Sequence, residues 1–341
     1  MAAFMHVDEI VRRNLRRQRV FRDRKNPLDF YDDADIIARY RLDRRSIMEI
    51  IDKVEESLGR PTRRSRSLPA TVQVFAALRF LASGTQQRVI GDTLGLSKSS
   101  VCRSLEDVVN AISRSLGNVI KFPAGDSETT RTKLGFYSLA GFPNVLGAID
   151  GTQIPITAPR DDEHLYVCRK GYHSLNVQAI VNADMKFLSI VNKWPGSTHD
   201  AFIWANSSIA RKFERGEMDG WLLGDSGYPL RPWLLTPINH PKSRPEERFN
   251  SAHRRSRVVV EQAFGVLKSR FRCLHKTGGA LDYKPEKCCK IIYVCCLLHN
   301  ICVEKHLPLL EYQTVDEEVT YQGPLNDGKN TRDQIIQQRF T

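Results

Sequence analysis

Two short apolar runs constrain this chain most. Each is too short for a buried helix, and each is closed by an aspartate. Val145-Leu146-Gly147-Ala148-Ile149 ends at Asp150, and Trp221-Leu222-Leu223-Gly224 ends at Asp225. Brief apolar runs bounded by Gly and polar residues read as buried strands. A third acid, Glu261, lies in Arg257-Val258-Val259-Val260-Glu261-Gln262-Ala263-Phe264, which reads as a helix. Asp225 follows Asp150 by 75 residues, and Glu261 follows Asp225 by 36. Two strand-end carboxylates and one helix carboxylate suit a magnesium or manganese site. Such hard cations take oxygen ligands, and a pair of them can serve both the attacking and the leaving oxygen of a phosphodiester. That chemistry belongs to enzymes that cut or join nucleic-acid backbones.

The surroundings of the acids agree with these placements. In Gly224-Asp225-Ser226-Gly227-Tyr228-Pro229 the glycines admit close backbone approach and Pro229 ends the strand. Val260, Phe264, Leu267 and Phe271 form one apolar stripe bordered by Glu261, with Arg257, Lys268, Arg270 and Arg272 available for phosphates. A fourth acid, Asp200, closes Pro195-Gly196-Ser197-Thr198-His199-Asp200 at an expected helix start. An Asp there favours the helix dipole, and it is equally a candidate metal ligand, with His199 beside it as another donor.

The pattern elsewhere changes partway along the chain. Residues 34–58 are expected as a helix, from Ile36, Ile37, Tyr40, Ile47, Ile50, Ile51 and Val54. Pro69–Leu81, Gln86–Leu94 and Lys98–Val109 are three more, the last two joined by the tight Gly95-Leu96-Ser97 turn. A short helix, a Gly-containing turn and a helix opening on Ser and Lys make a helix-turn-helix pattern. Its second helix would offer Lys98, Ser99, Ser100 and Arg103 to DNA; an ordinary three-helix packing unit is the simpler alternative. Residues 116–143, rich in Gly and Pro, are expected to be a linker. Beyond it, strands are expected over Val145–Ile156, Asn176–Asn182, Phe187–Asn192, Trp221–Gly224 and Trp233–Pro237. Helices are expected over Asp200–Phe213, Glu246–Arg272 and Pro285–His306. The fold class is therefore α/β, a mixed sheet flanked by helices behind an all-helical front. The domains are expected as a basic arm over 1–30, a helical region over 31–130, a catalytic domain over 144–306 and a flexible tail over 307–341.

Composition narrows the partners. The net charge is +12 in 341 residues, with a pI near 9.4, which favours a polyanion. Residues 11–25 hold eight Arg or Lys against Asp23, as a phosphate-contacting arm or import signal would. No apolar run is long enough to span a bilayer, and no secretory leader is expected at the start. Eight cysteines are then expected as reduced thiols of the cytosol or nucleus. Cys288, Cys295 and Cys302 recur every seven residues near His299 and His306. A zinc site is one reading; the packed face of a helix is the favoured one, since Ile291, Ile292, Val294, Leu297 and Leu298 interleave with them.

Seven motifs together resemble the PIF/Harbinger superfamily of DDE transposases and the nucleases derived from it. They are Gly147-Ala148-Ile149-Asp150-Gly151-Thr152-Gln153-Ile154, Trp194-Pro195-Gly196-Ser197-Thr198-His199-Asp200, Leu222-Leu223-Gly224-Asp225-Ser226-Gly227-Tyr228-Pro229, Arg248-Phe249-Asn250, Val260-Glu261-Gln262-Ala263-Phe264-Gly265, Arg270-Phe271-Arg272-Cys273-Leu274 and Leu297-Leu298-His299-Asn300. Gln153 stands where that family commonly has His. The resemblance covers the chain to about Lys305. It implies an RNase H-like catalytic fold with Asp150, Asp225 and Glu261 as its D, D and E, and Asp200 as a further metal ligand. It implies a divalent cation, Mg2+ or Mn2+, and DNA as substrate; Lys98, Ser99, Arg103, Lys268 and Arg270 are the expected DNA contacts, and residence in nucleus and cytoplasm is expected. A separate Myb-like protein supplies DNA binding and nuclear delivery in related elements, so such a partner is implied here too; an oligomer is compatible with this reading. The leading expectation is a domesticated, metal-dependent DNA nuclease without transposition. The rivals are a catalytically silent DNA-binding regulator and an active transposase.

Overall fold

In the computed structural model of the chain, residues 26–59, 67–309 and 328–340 are described. The basic stretch 11–25, the basic loop 60–66 and residues 310–327 lie outside them.

The front is all helix. What reads as one helix over 34–58 is two, α1 (Asp33–Tyr40) and α2 (Arg44–Leu58). Arg41 takes a left-handed φ of 66° and ends α1, and the Asp43 side chain accepts from Ser46 N–H to start α2. Two Asp-capped starts thus outweigh the continuous apolar spacing. α3 (Ala70–Ser83) is apolar nearly all round and is buried accordingly, with Val74, Phe75, Ala76, Ala77, Leu78 and Leu81 fully enclosed. α4 (Gln87–Leu94) and α5 (Lys98–Ser115) follow across the tight turn. Gly95 supplies the left-handed residue, at φ 68°, and Ser97 caps α5 by accepting from Ser100 N–H at 3.1 Å. A Cβ on Gly91 would stand 2.6 Å from the Leu96 carbonyl oxygen, so the turn closes only over a glycine.

The expected linker contains α6 (Asp126–Ala140). It packs on the first strand and on the long helix described below. Only Thr132 and Phe136 are buried on it, which leaves no apolar stripe for the eye to find.

The sheet follows as β1 (Val145–Pro155), β2 (Ser174–Val181), β3 (Phe187–Pro195), β4 (Trp221–Leu223) and β5 (Leu234–Leu235). Their order is β3-β2-β1-β4-β5. β1, β2 and β3 are antiparallel neighbours, while β4 and β5 run parallel to β1. Between β3 and β4 lie α7 (Asp200–Ala205) and α8 (Ser208–Glu214), two short helices where one is expected. Ser207 starts the second by accepting from Ala210 N–H at 3.0 Å. α9 (Arg244–Arg270), about 40 Å long at 1.5 Å per residue, and α10 (Pro285–Glu304) cover the opposite face. The fold is thus the expected α/β class, a mixed sheet flanked by helices behind a helical front.

One hydrophobic cluster runs unbroken from Ile36 in α1 through α3, α5, the sheet, α9 and α10. The helical front and the sheet therefore share a core across the expected boundary. Lys287–Glu106 (3.1 Å) and Lys290–Asn110 (2.8 Å) tie α10 to α5 on the rim. The α10 cysteines face inward: Cys288, Cys295, Cys296 and Cys302 are fully buried and all eight cysteines are unpaired thiols. His299 donates to the Met185 carbonyl at 2.9 Å, a partner that leaves it in the core.

The tail also departs from expectation. Its described part forms α11 (Lys329–Arg339). Ile335 and Ile336 are buried, Phe340 packs against Phe142 and Phe249, and Arg248 donates to the Phe340 carbonyl at 3.2 Å. Its mean hydropathy is low, so three tertiary contacts hold it where local sequence gives no signal. Among the described residues, no helix is long and apolar enough to cross a membrane.

Candidate active site

Parallel pairing of Ala148 with Leu223 carries both strands forward to the acids, so Asp150 and Asp225 emerge side by side where β4 leaves the sheet. Each is oriented by a backbone amide. Gly151 N–H donates to Asp150 Oδ1 at 2.8 Å, and Gly227 N–H donates to Asp225 Oδ1 at 2.9 Å. Side chains alternate along a strand, so Asp150 and Thr152 share the face of β1 that α9 covers. There Arg257 donates to Asp150 Oδ2 at 3.3 Å and also pairs with Glu261 one turn further on α9. Two turns past Glu261, Lys268 Nζ donates to Thr152 Oγ1 at 2.7 Å and to the Gln153 carbonyl at 3.3 Å. Arg257, Glu261 and Lys268 thus line β1 from Asp150 to Gln153, as helical spacing on one face requires.

Asp200 arrives from the other face. Its carboxylate lies against Gly151, where a Cβ would stand 2.8 Å from Asp200 Cγ. Asn176 Nδ2 donates to Asp200 Oδ1 at 2.8 Å and to the Thr198 carbonyl at 2.8 Å. Gln178 Nε2 donates to the Asp200 carbonyl and to the Tyr228 hydroxyl, both at 2.9 Å. Asn176 and Gln178 alternate with apolar residues in the buried strand Ser174-Leu175-Asn176-Val177-Gln178-Ala179. Two polar residues at that spacing in a buried strand are a legible sign of a site, one that the search for acids passes over. Tyr228 follows Asp225 by one turn and is fully buried. His199 pairs instead with Arg169, at 3.1 Å between His Nδ1 and Arg Nη2.

The electrostatics show how close these groups stand. Burial pushes the Asp150 carboxyl up to about 8, with Asp225 and Asp200 adding to the rise and Arg257 opposing it. Burial also raises Asp200, against the Asn176 hydrogen bond. Tyr228 is held well above its ordinary value by burial and by all three aspartates. Lys268 is lowered to about 8 by burial, then by Lys170 and Lys276. An acidic cluster thus adjoins a basic one along the same strand.

The sequence candidates separate accordingly. Asp150, Asp200 and Asp225 come together, and Glu261 joins them through Arg257. Lys268 stands beside them. Arg270 does not: it is buried and donates to the Leu307 carbonyl at 2.6 Å and the Pro308 carbonyl at 3.5 Å, closing the chain after α10. The expected phosphate contact at Arg270 is replaced by this internal role, because the last residue of α9 has turned onto the core side. Lys98, Ser99 and Arg103 are exposed on the first turns of α5. Among the described residues, no three His, Cys, Asp or Glu side chains form a ready metal cage. The donor set nonetheless suits Mg2+ or Mn2+: it is all carboxylate oxygen, with Asp150 and Asp225 at strand ends, and Asp225 and Asp200 add to the rise that burial gives Asp150.

A strand-end acid pair beneath a helix-borne third, on a mixed sheet, defines the class: an RNase H-like α/β nuclease fold. The family described as DDE superfamily endonuclease matches residues 149–300. The protein of Homo sapiens named "Putative nuclease HARBI1" is 40% identical over 278 residues, covering 81% of this chain and 80% of the relative. The Xenopus laevis protein of that name is 35% identical over 321 residues, 92% of each. The Arabidopsis thaliana "Protein ALP1-like" is 33% identical over 263 residues, 72% of this chain and 62% of the relative. No solved structure matches. The chain belongs to the Harbinger-derived family of DDE nucleases.

Proposed function

We propose that the protein is a divalent-metal-dependent DNA nuclease, transposase-derived and without transposition of its own, that hydrolyses phosphodiester bonds at the Asp150–Asp225–Glu261 cluster. One observation carries the reading: Asp150 and Asp225 leave adjacent parallel strands together, with the Glu261 helix laid across Asp150. In this reading Asp150, Asp225 and Glu261 hold Mg2+ or Mn2+, and Asp200 supplies a further carboxylate from the opposite face. The cation, when bound, polarises the phosphate and makes water a competent nucleophile at neutral pH.

The chain's own residues do the rest. The Gly151 and Gly227 amides fix the rotamers of Asp150 and Asp225. Asn176 and Gln178 hold the start of α7, and so Asp200, against β1. Lys268, pinned to Thr152, sets a positive charge beside the cluster where a non-bridging phosphate oxygen gathers charge in the transition state. Lys98, Ser99 and Arg103 open a helix in the position that meets DNA in helix-turn-helix proteins. The net positive charge supports binding to backbone phosphates. Residence in the nucleus as well as the cytoplasm, and a Myb-like partner that delivers the protein to DNA, complete the proposal.

The test is nicking of supercoiled plasmid in magnesium. Asp225→Asn should abolish the nicking seen with the wild-type protein; undiminished nicking by the variant would refute the assignment.

A further inference from the structure

Arg257 reaches two carboxylates, and both belong to the proposed cation site. Its side chain is 7% exposed, against 17% for Asp150 and 24% for Glu261. Its Nη1 reaches Asp150 Oδ2 at 3.3 Å while Nη2 holds Glu261 Oε1. The planar guanidinium fork is suited to holding two carboxylates at once. Asp150 Oδ1 already accepts the Gly151 amide at 2.8 Å. Arg257 thus engages one oxygen of each of the two carboxylates, Asp150 Oδ2 and Glu261 Oε1, on which a cation would also draw.

Charge makes the same demand. Asp225 and Asp200 both raise the Asp150 carboxyl, and Arg257 is the group that lowers it most. Part-buried carboxylates this close favour a neighbouring positive charge, because leaving a buried charge uncompensated is destabilising. A guanidinium and a divalent cation both satisfy that need, and both draw on the same two carboxylates. His253, one turn before Arg257 on α9, is buried and donates to the Leu235 carbonyl at 3.0 Å, so the helix beneath the arginine is anchored independently of the acids.

We infer that Arg257 is the exchangeable counter-ion of the acidic cluster: loading of the divalent cation displaces its guanidinium from at least one of Asp150 and Glu261, and this competition sets the metal affinity. The inference rests on the proposed metal-dependent reading of the same site. It makes Arg257 a positioning residue that keeps the carboxylates folded together and yields them to the metal.

The test is Mn2+ binding by isothermal titration, with thermal unfolding in EDTA and in saturating Mn2+. In Arg257→Met the competitor is gone, so the Mn2+ dissociation constant should tighten by roughly tenfold. The variant should melt roughly 5 °C lower than wild type in EDTA. Saturating Mn2+ should recover much of that loss, because a ligand that binds the folded state more tightly stabilises it more. Arg257→Lys, which keeps the charge without the fork, should fall between the two, and it decides the comparison if the methionine variant does not fold. Unchanged or weaker Mn2+ affinity, with equal loss of melting temperature in EDTA and Mn2+, would show a merely structural arginine and overturn the inference alone. Failure of the wild-type protein to bind Mn2+ would overturn the metal reading itself, and this inference with it.

Discussion

The two faces of the sheet are built differently. On the α9 side, Ala148, Ile154, Leu175, Val177, Ala179, Val181, Leu223 and Leu235 join the large core shared with the helical front. On the other side Ile149, Ile180, Leu222 and Leu234 meet only a small cluster, closed by Trp204, Ile209, Phe213 and Tyr228. The covers differ in kind as well: a 27-residue helix and a 20-residue helix on one face, and helices of six and seven residues on the other. The thick face carries Asp150, Thr152, Arg257, Glu261 and Lys268. The thin face carries Asp200, which polar side chains hold in place where the thick face uses apolar packing. Geometry held by a close-packed core is stiffer than geometry held by two short helices and an amide. The acids on the thick face are therefore expected to dominate function.

The largest predicted difference follows from that. Asp150→Asn should lower plasmid nicking by roughly a thousandfold, the scale of several kcal/mol of transition-state stabilisation. Asp200→Asn should lower it by roughly tenfold, because the amide oxygen of the substituted side chain still accepts from Asn176 and keeps α7 in place. Initial nicking rates in magnesium measure both. Equal losses would erase the distinction and make the two faces equal contributors to the reaction.

The thick face should also be the more sensitive to acid. His253 and His299 are fully enclosed there, each donating Nε2–H to a backbone carbonyl, and burial lowers each from 6.5 to about 4. A histidine lowered in the folded state is protonated first in the unfolded chain. Its contribution is therefore complete above pH 6.5 and is lost as pH falls through 6.5 toward 4. The shift corresponds to about 3 kcal/mol per histidine at most. Comparison of His299→Gln with wild type cancels the pH contributions that the two share. Urea unfolding at pH 7 and pH 4.5 should show wild type losing roughly 2 kcal/mol more than the variant. Parallel losses would mean that His299 is not the acid-sensitive group.

What could be read from the sequence follows from which features are local. Asp150 and Asp225 were legible because an apolar run ended by an acid is a complete signal within six residues. The helix-turn-helix-like pair was legible through Gly95 and the Ser97 cap. The break at Arg41 and the break at Ser207 had signals in Asp43 and in Asn206-Ser207-Ser208, but the apolar spacing through each was stronger. α6 had no signal, since only two of its side chains are buried. α11 is fixed by Phe142 and Phe249, which lie far away in sequence. Arg257 and Arg270 show the same limit within the site. Both are arginines on one helix, read together as phosphate contacts; burial sends the first to two carboxylates and the second to two carbonyls. Helical spacing marks Glu261 as a neighbour of Arg257, but the deciding partners, Asp150 on β1 and the carbonyls after α10, come from far along the chain.

The smallest predicted effect tests the thin face directly. Gly151 lies in a regular stretch of β1, paired with Gln178, so alanine suits its backbone. The new methyl group would meet the carboxylate of Asp200, with Cγ at 2.8 Å, and its three nearest neighbours all belong to that side chain. Gly151→Ala should therefore leave the melting temperature within about 1 °C of wild type while pushing Asp200 away from the strand. Nicking should fall by roughly tenfold, equivalent to about 1.4 kcal/mol. If both substitutions act through one carboxylate, their effects should not add: the Gly151→Ala, Asp200→Asn double variant should be no slower than Asp200→Asn alone. A double variant slower by the product of the two would place the contribution of Gly151 elsewhere on β1, and the thin face would then owe its function to the strand and not to the acid that leans on it.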